Sequence, residues 1–203
     1  IGETITKRYA ANRVFTGYEY FPGGADYTVP GMKIDASKAS LMDDDGRVFA
    51  QLIGATAEEH PMIMVNAVKV TSIDANQPVS LSEPIITDWL RKELGFDGVV
   101  ITDDIEVGAA VAGMSIGDYA VRTINAGSDM VIVCKHAKHI QEVHDALTQA
   151  VENGTISEAR LDEAVRHIML MKFSNEYPRP CSLSPLMSCL LLPPPLPRAK
   201  LPE

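Results

Sequence analysis

The sequence predicts an α/β fold in which helices cover a sheet of parallel strands. Helical and extended patterns alternate along residues 1–173. The clearest strand contains Val99–Ile101, an apolar β-branched run that follows two glycines and ends at Asp103 and Asp104. Such a run is typical of a strand buried on both faces of a parallel sheet. Strands that alternate with helices pair in parallel through right-handed crossovers, so the pattern predicts one such sheet.

Each element is predicted from hydrophobic periodicity and from the residues that begin and end it. Phe49, Leu52 and Ile53 have the i, i+3, i+4 spacing of a helix face. Ser82 is expected to cap a helix that Gly95 ends. In chain order the predicted elements are a helix at 2–13, a strand at 14–21, a helix from about 43, a strand at 61–68, a helix from 84 to Gly95, the strand ending at Asp103, a helix at 118–125, a strand at 129–133, a helix ending at 153 and a helix from 157.

Length and charge limit the classes of protein and partner. A chain of 203 residues with a formal charge of −9 suits one soluble domain, and it argues against nucleic acid and anionic membranes as partners. No apolar run approaches the ~20 residues that a spanning helix needs. No signal peptide is visible, so a cytoplasmic location is expected. The chain does not begin with Met, which indicates a processed protein or a fragment whose start is missing.

The last thirty residues differ in composition from the rest. Residues 174–203 are rich in proline, which excludes helix and central strand. We expect a disordered or partly polyproline II tail after a domain at 1–173. Two of the three cysteines, Cys181 and Cys189, lie in this tail. Cys134 follows a predicted strand and is expected to be a buried thiol.

Two consecutive acids mark the candidate site. Ligand chemistry in parallel α/β sheets gathers at the carboxyl ends of the strands, where Asp103 and Asp104 lie. Side chains alternate along an extended segment, so one carboxylate can face a site while the other binds backbone or solvent. We predict that Asp103 is the reactive acid. Asp104 is either a substrate-binding group or the cap of a following helix.

The segment 89–109, which contains both acids, resembles the core of family 3 glycoside hydrolases and is most similar to the β-N-acetylhexosaminidase branch. Three further segments agree in order and spacing: 21–23, Asp74 with 78–82, and 125–133. The resemblance implies a (β/α)8 TIM-type barrel, which takes ~250 residues. Four predicted strands would then form a partial barrel, its second half. A partner chain that completes the barrel is one expectation that follows.

The resemblance also implies roles for individual residues. It assigns Asp103 as the nucleophile of a retaining glycosidase, preceded by Thr102 in a small hydroxyl position. Retaining hydrolysis also needs a proton donor. The family's Asp-Ser-His acid/base element corresponds here to Pro30, Gly31 and Met32, none of which transfers a proton. A family histidine at the end of the second strand is replaced by Ala67.

Other residues near the same sheet edge are candidates for the missing roles. The family's sugar-binding Lys-His corresponds to Glu19 and Tyr20. We expect these two residues to bind substrate, but less well than the Lys-His pair. Asp26 is kept from the family and is a candidate acid/base. His136 follows the fourth strand and is a second candidate proton donor; the alternative, which its position favours, is a solvated histidine at a helix start.

The histidine spacing predicts no metal site and no cofactor. His136, His139 and His144 do not form the HExxH pattern of zinc enzymes. His139 and His144 are five residues apart, which places them on different faces of a helix.

Three hypotheses about function follow. The first is a retaining glycoside hydrolase acting on β-linked N-acetylglucosamine, with a carbohydrate as its partner. The second is a catalytically impaired relative that binds a carbohydrate or a protein. The third is a truncated remnant without a function of its own.

Overall fold

The computed structural model describes residues 1–23 and 31–174. Its centre is a four-stranded parallel sheet in the order β1 (Gly17–Phe21), β3 (Met62–Val65), β5 (Val100–Asp104), β6 (Met130–Ile132). Successive strands along the chain are therefore neighbours in the sheet, as in one continuous part of an α/β barrel. The predicted α/β class with parallel strands is confirmed. Of the predicted tail at 174–203, only residue 174 is among the described residues.

Helices follow or precede every strand of this sheet. The strongest helix–helix contact joins α5 and α6, which flank β6. The helices are α1 (Gly2–Ala11), α2 (Lys38–Asp43), α3 (Asp45–Ala55), a helix with π-type hydrogen bonds (Pro84–Glu93), α4 (Ile105–Ala112), α5 (Ile116–Ala126), α6 (Ala137–Glu152) and α7 (Glu158–Ser174), with short 3-10 turns at Ala57–Glu59 and Val79–Leu81. No helix in residues 1–23 and 31–174 is long and apolar enough to cross a membrane.

A second, two-stranded parallel sheet was missed by the sequence prediction. Its strands are β2 (Lys33–Ile34) and β4 (Lys69–Val70). Asp74 stabilises the loop after β4, because one carboxylate oxygen accepts hydrogen bonds from the backbone N–H groups of Asn76 and Gln77, each at 3.1 Å. The other oxygen accepts one from the Ser82 hydroxyl at 2.8 Å. Ser82 therefore holds this loop, and the prediction that its side chain caps the next helix is wrong.

Two further helices depart from the predicted pattern. Helix α2 was not predicted, and it ends at its C-cap Asp44; the helix expected from about residue 43 is confirmed as α3. Helix α4 was not predicted, and it begins directly after β5 with Asp104 as its N-cap. By contrast, Gly95 ends the π-type helix in the left-handed conformation (φ 70°), as predicted.

The strands of the sheet differ in how completely their two faces are buried. In β5, Val100, Ile101 and Thr102 are all buried, as predicted. In β3, however, Ile63 and Val65 are buried while the alternating residues are only half-buried. The prediction of burial on both faces, which was made for the strand that ends at Asp103, is therefore confirmed for β5. A partner chain that completes the barrel stays a prediction.

A buried ionic network joins the amino-terminal ends of β5 and β6. Asp129, just before β6, accepts hydrogen bonds at 2.7 Å from the guanidinium groups of Arg91 and Arg160. It also contacts the His167 ring at 3.1 Å and accepts from the backbone N–H of Val100 at 3.0 Å. One carboxylate thus connects two helices and two strands at the end of the sheet opposite Asp103.

Candidate active site

A recess opens at the carboxyl ends of β3 and β5, where the sequence predicts the site. It contains about 340 Å³ of space, part of which is open to solvent. Its wall carries both acids of the candidate pair together with polar side chains from β3, the 3-10 turn and α5. The polar lining residues are Asn66, Ser80, Thr102, Asp103, Asp104 and Tyr119.

Asp103 is the exposed carboxylate of this recess. Buried Thr102 precedes it in β5, and its hydroxyl accepts a hydrogen bond from the N–H of Ile132 in the neighbouring strand at 3.2 Å. One Asp103 oxygen accepts from the backbone N–H of Asp104 at 2.7 Å. This local bond leaves the second oxygen available to an incoming ligand. The predicted nucleophile therefore lies at a strand end, in the wall of the recess.

The charge of Asp103 contributes to a raised pKa of two tyrosines, Tyr20 and Tyr119. Burial raises the pKa of Tyr20, and the nearby carboxylates of Asp103 and Glu19 raise it further. Burial also raises the pKa of Tyr119; a hydrogen bond with Ser80 lowers it, and the charge of Asp103 adds to the increase. Both phenols are thus kept protonated, as hydrogen-bond donors, beside the candidate nucleophile.

Asp104 has different partners from Asp103. Its Oδ1 accepts a hydrogen bond from the backbone N–H of Glu106 at 3.0 Å and so caps α4. Its Oδ2 lies 3.7 Å from the ammonium of Lys135. The capping alternative is therefore realised. A role for Asp104 in substrate binding stays a prediction, supported by its position in the wall of the recess.

Asn66 contributes an amide group that sequence reasoning did not assign to the site. It follows β3 and is 4% exposed. Its Oδ1 accepts a hydrogen bond from the backbone N–H of Val68 at 3.3 Å, which orients the amide. Its Nδ2 has no hydrogen-bond partner among the described residues. A buried donor without a partner in the wall of a recess is suited to bind a ligand oxygen.

Tyr119 and Ser80 form the opposite side of the recess. Their hydroxyl groups are 2.6 Å apart, and both residues are buried. The hydroxyl of Thr123, one turn further along α5, donates to the carbonyl of Ser80 at 3.1 Å. The sequence offered no signal for Tyr119, because a tyrosine on the buried face of a helix is usually part of the core.

Glu19 and Tyr20 lie at the carboxyl end of β1, the edge strand of the sheet. They line a second recess between β1 and α3, together with Gly23 and Asp45. The peptide bonds Glu19–Tyr20 and Phe21–Pro22 are cis. Tyr20 lies close enough to Asp103 for the charge of that carboxylate to raise the pKa of the phenol. The role of Glu19 and Tyr20 in sugar binding stays a prediction. The candidate acid/base Asp26 lies outside the described residues.

His136, the other candidate proton donor, is engaged elsewhere. Its Nδ1 lies 3.6 Å from Oε1 of Glu106, and its ring stacks on His139 with the centroids 5.0 Å apart. It does not line the Asp103 recess described above. Met32, which replaces the family's acid/base histidine, packs against the main hydrophobic core. The described residues therefore place no imidazole in the wall of that recess.

Cys134 corrects another prediction. Its thiol is free and exposed rather than buried, because the chain leaves the sheet at Ile132. Desolvation raises its pKa, and the charges of Asp104, Asp103 and Glu106 raise it further. The neutral thiol is therefore the favoured form at this acidic sheet edge.

A parallel α/β sheet with its polar recess at the carboxyl ends of the strands is the arrangement of a TIM-barrel-type domain. The family model for the glycosyl hydrolase family 3 N-terminal domain matches residues 3–171, and the chain belongs to this family. It is 32% identical to a β-hexosaminidase of Bordetella parapertussis over 148 residues, which covers 72% of this chain and 40% of the relative. It is also 29% identical over 175 residues to a secreted glycosyl hydrolase of Arthroderma benhamiae, covering 84% of this chain and 50% of the relative.

Solved structures agree with the fold. A family 3 β-N-acetylglucosaminidase from Paenibacillus superposes with a TM-score of 0.77 at 27% identity, over 90% of this chain and 36% of that protein. The Thermotoga maritima β-N-acetylglucosaminidase gives a TM-score of 0.70 at 26% identity, over 80% and 36%. The chain thus spans half or less of the length of the relatives it matches.

Proposed function

We propose that this chain carries the nucleophile of a retaining glycosidase that acts on β-linked N-acetylglucosamine. The observation that carries the proposal is Asp103, an exposed carboxylate at the end of β5 in a recess with hydrogen-bonding side chains. The relatives named β-hexosaminidase and β-N-acetylglucosaminidase support this substrate class.

In the proposed mechanism, the free oxygen of Asp103 attacks the anomeric carbon of the bound sugar. The bond from that carbon to the leaving-group oxygen breaks, and a covalent glycosyl ester forms on Asp103. Water then attacks the same carbon, which releases the sugar with its configuration retained. In this proposal Asn66 and Tyr119 donate hydrogen bonds to sugar oxygens. Both line the recess, and Nδ2 of Asn66 has no partner among the described residues.

The mechanism needs a proton for the leaving group and a base for the attacking water, and this need predicts a distinctive kinetic behaviour. Without an imidazole beside Asp103, ester formation should need an activated leaving group, and hydrolysis of the ester should be slow. We expect an aryl β-N-acetylglucosaminide to give a burst of about one phenolate per chain, followed by slow turnover. Azide needs no general base and should accelerate the slow phase, with a β-glycosyl azide as product. Stopped-flow absorbance and NMR of the product measure both effects.

Two outcomes would separate this proposal from its alternatives. Turnover that is fast and unaffected by azide would mean that an efficient acid/base is present, and His136 and Asp26 would be the first variants to make. The matched aryl β-glucoside, which lacks the acetamido group, serves as the control for substrate class. If it reacts as well as the N-acetylglucosaminide, the proposed substrate class is wrong.

Asn66 provides a second prediction. Asn66→Asp keeps the oxygen that accepts from Val68 but replaces the free donor with an acceptor, and it adds a charge near Asp103. We expect kcat/KM for the aryl N-acetylglucosaminide to fall by about 10- to 100-fold, since a buried polar group that is left without its hydrogen-bond partner costs about 1–3 kcal/mol. Steady-state kinetics measure the loss. An unchanged kcat/KM would remove Asn66 from the proposed sugar contacts.

A sugar-binding protein without turnover is the second candidate function. The packing of Met32 against the core, at the position of the family's acid/base histidine, favours it. Binding of N-acetylglucosamine by calorimetry, with no phenolate burst from the aryl glycoside, would support this candidate over the hydrolase.

A further inference from the structure

A cluster of one carboxylate and two imidazoles lies at the same sheet edge, outside the Asp103 recess. Glu106 is in the first turn of α4, and His136 and His139 are at the start of α6. Oε1 of Glu106 lies 2.5 Å from Nδ1 of His139 and 3.6 Å from Nδ1 of His136. One potential ligand atom from each residue lies within 4.8 Å of the others.

Backbone contacts orient Glu106 toward the two histidines. Its other oxygen, Oε2, accepts hydrogen bonds from the N–H groups of Cys134, at 3.1 Å, and Lys135. Its side chain is only 6% exposed. Because Oε2 is occupied by the backbone, Oε1 is the oxygen that remains for the imidazoles. The hydrogen bonds that hold a ligand from its far side are the usual support of a metal site.

The sheet order explains why these residues meet. Strands β5 and β6 are neighbours, and α4 begins directly after β5. The segments after the two strands therefore leave the same edge side by side. The histidine spacing predicted no metal, because the third group comes from a segment 30 residues earlier in the chain (Glu106 to His136).

We propose that Glu106, His136 and His139 bind a divalent transition-metal ion of the zinc class. Two neutral imidazoles and one carboxylate are the donor set of open zinc sites, with the fourth position left to water or another ligand. Magnesium and calcium prefer all-oxygen sites and are expected to bind more weakly here. Bound ion would connect the β5–α4 and β6–α6 junctions. The site is independent of the glycosidase proposal, and its test uses no catalytic readout.

The test is calorimetric titration of the full, tag-free chain with Zn²⁺. We expect one ion per chain, and loss of that binding in the variant H136Q/H139Q. Removing two of three ligands should weaken binding by at least about 100-fold, because loss of even a supporting contact costs about 10- to 100-fold. The matched control is His144→Gln, which changes a 70% exposed histidine on the same helix and should bind like the unaltered chain.

Two further measurements keep the result interpretable. His136→Gln alone changes a half-exposed side chain, so it should fold normally, as checked by circular dichroism, and still bind at least ~10-fold more weakly. The visible absorption of bound Co²⁺ should indicate four-coordinate geometry in the unaltered chain and disappear in the double variant. Equal Zn²⁺ affinity in the unaltered chain and the double variant, or no binding by the unaltered chain, would overturn the proposal.

Discussion

Replacing Asp103 by Asn is expected to abolish the phenolate burst and all turnover of an aryl N-acetylglucosaminide. Asn retains the side-chain oxygen that accepts from the Asp104 N–H, so the strand end should keep its shape. The amide is a poor nucleophile, however, and no glycosyl ester can form. Loss of an enzyme nucleophile lowers kcat on the order of 10⁴-fold or more. Burst and steady-state kinetics of the purified variant measure the loss.

The control for this variant is Asp88→Asn. Asp88 is a half-exposed carboxylate that pairs with Lys92 on the π-type helix, away from the recess. It tests whether removal of any negative charge lowers activity. Activity that survives Asp103→Asn would mean that another group performs the attack, and the assignment of the nucleophile would be wrong.

The largest expected loss of stability comes from Asp129→Asn. Asp129 is fully buried and faces the guanidinium groups of Arg91 and Arg160, which are 9% and 12% exposed. An uncharged amide would leave Arg91 without this carboxylate and Arg160 with Glu163 alone as its carboxylate partner among the described residues. Removing one partner of a buried ion pair costs about 3–5 kcal/mol, out of a total unfolding free energy of about 5–15 kcal/mol. Urea unfolding measures the difference.

Asp97→Asn is the matched control for the buried network. Asp97 also pairs with Arg166 and contacts His167, but its side chain is 71% exposed. Solvent screens such pairs, so the loss should be at most about 1 kcal/mol. Equal losses in the two variants would contradict the role given to the buried network.

Low pH should weaken the same buried network and lower the free energy of unfolding. Burial alone would raise the pKa of Asp129, but the contacts with His167, Arg91 and Arg160 outweigh it and hold the pKa below its usual value. A carboxyl whose pKa is depressed in the folded state stabilises the protein fully above its ordinary pKa. That stabilisation is lost as the pH falls through the lower, folded-state pKa. As the pH falls below about 4, the free energy of unfolding should therefore decrease less in the Asp129→Asn chain than in the unaltered chain.

The sequence predicted the elements whose signals are local. The strand before Asp103 was visible from a short apolar run between glycines and acids, and Gly95 marked a helix end correctly. The pairing of β2 with β4 left no such signal, because each strand has two residues and its partner lies 35 or more positions away. The side chain of Ser82 bonds to Asp74, eight residues earlier, rather than to its own helix, so this contact outweighed the local preference for capping.

The site was predictable to the extent that it lies on one strand. Asp103 follows from its place after β5 and from the family resemblance. Asn66 and Tyr119 in the recess, and Glu106 in the separate cluster with two histidines, have neighbours that only the sheet order brings near them. A buried amide with a free N–H, or a carboxylate held by two backbone donors, has no sequence pattern of its own. These groups became candidates only once their contacts were known.

The measurement that tests the central claim most directly is mass spectrometry of the full chain after incubation with 5-fluoro-N-acetylglucosaminyl fluoride. The fluoride is an activated leaving group, so the reaction needs the nucleophile but little acid assistance. We predict one covalent sugar per chain, located by peptide mapping on Asp103 and absent from the Asp103→Asn variant. A folded chain that acquires no adduct, or acquires it on another residue, would contradict the assignment of Asp103 as the nucleophile.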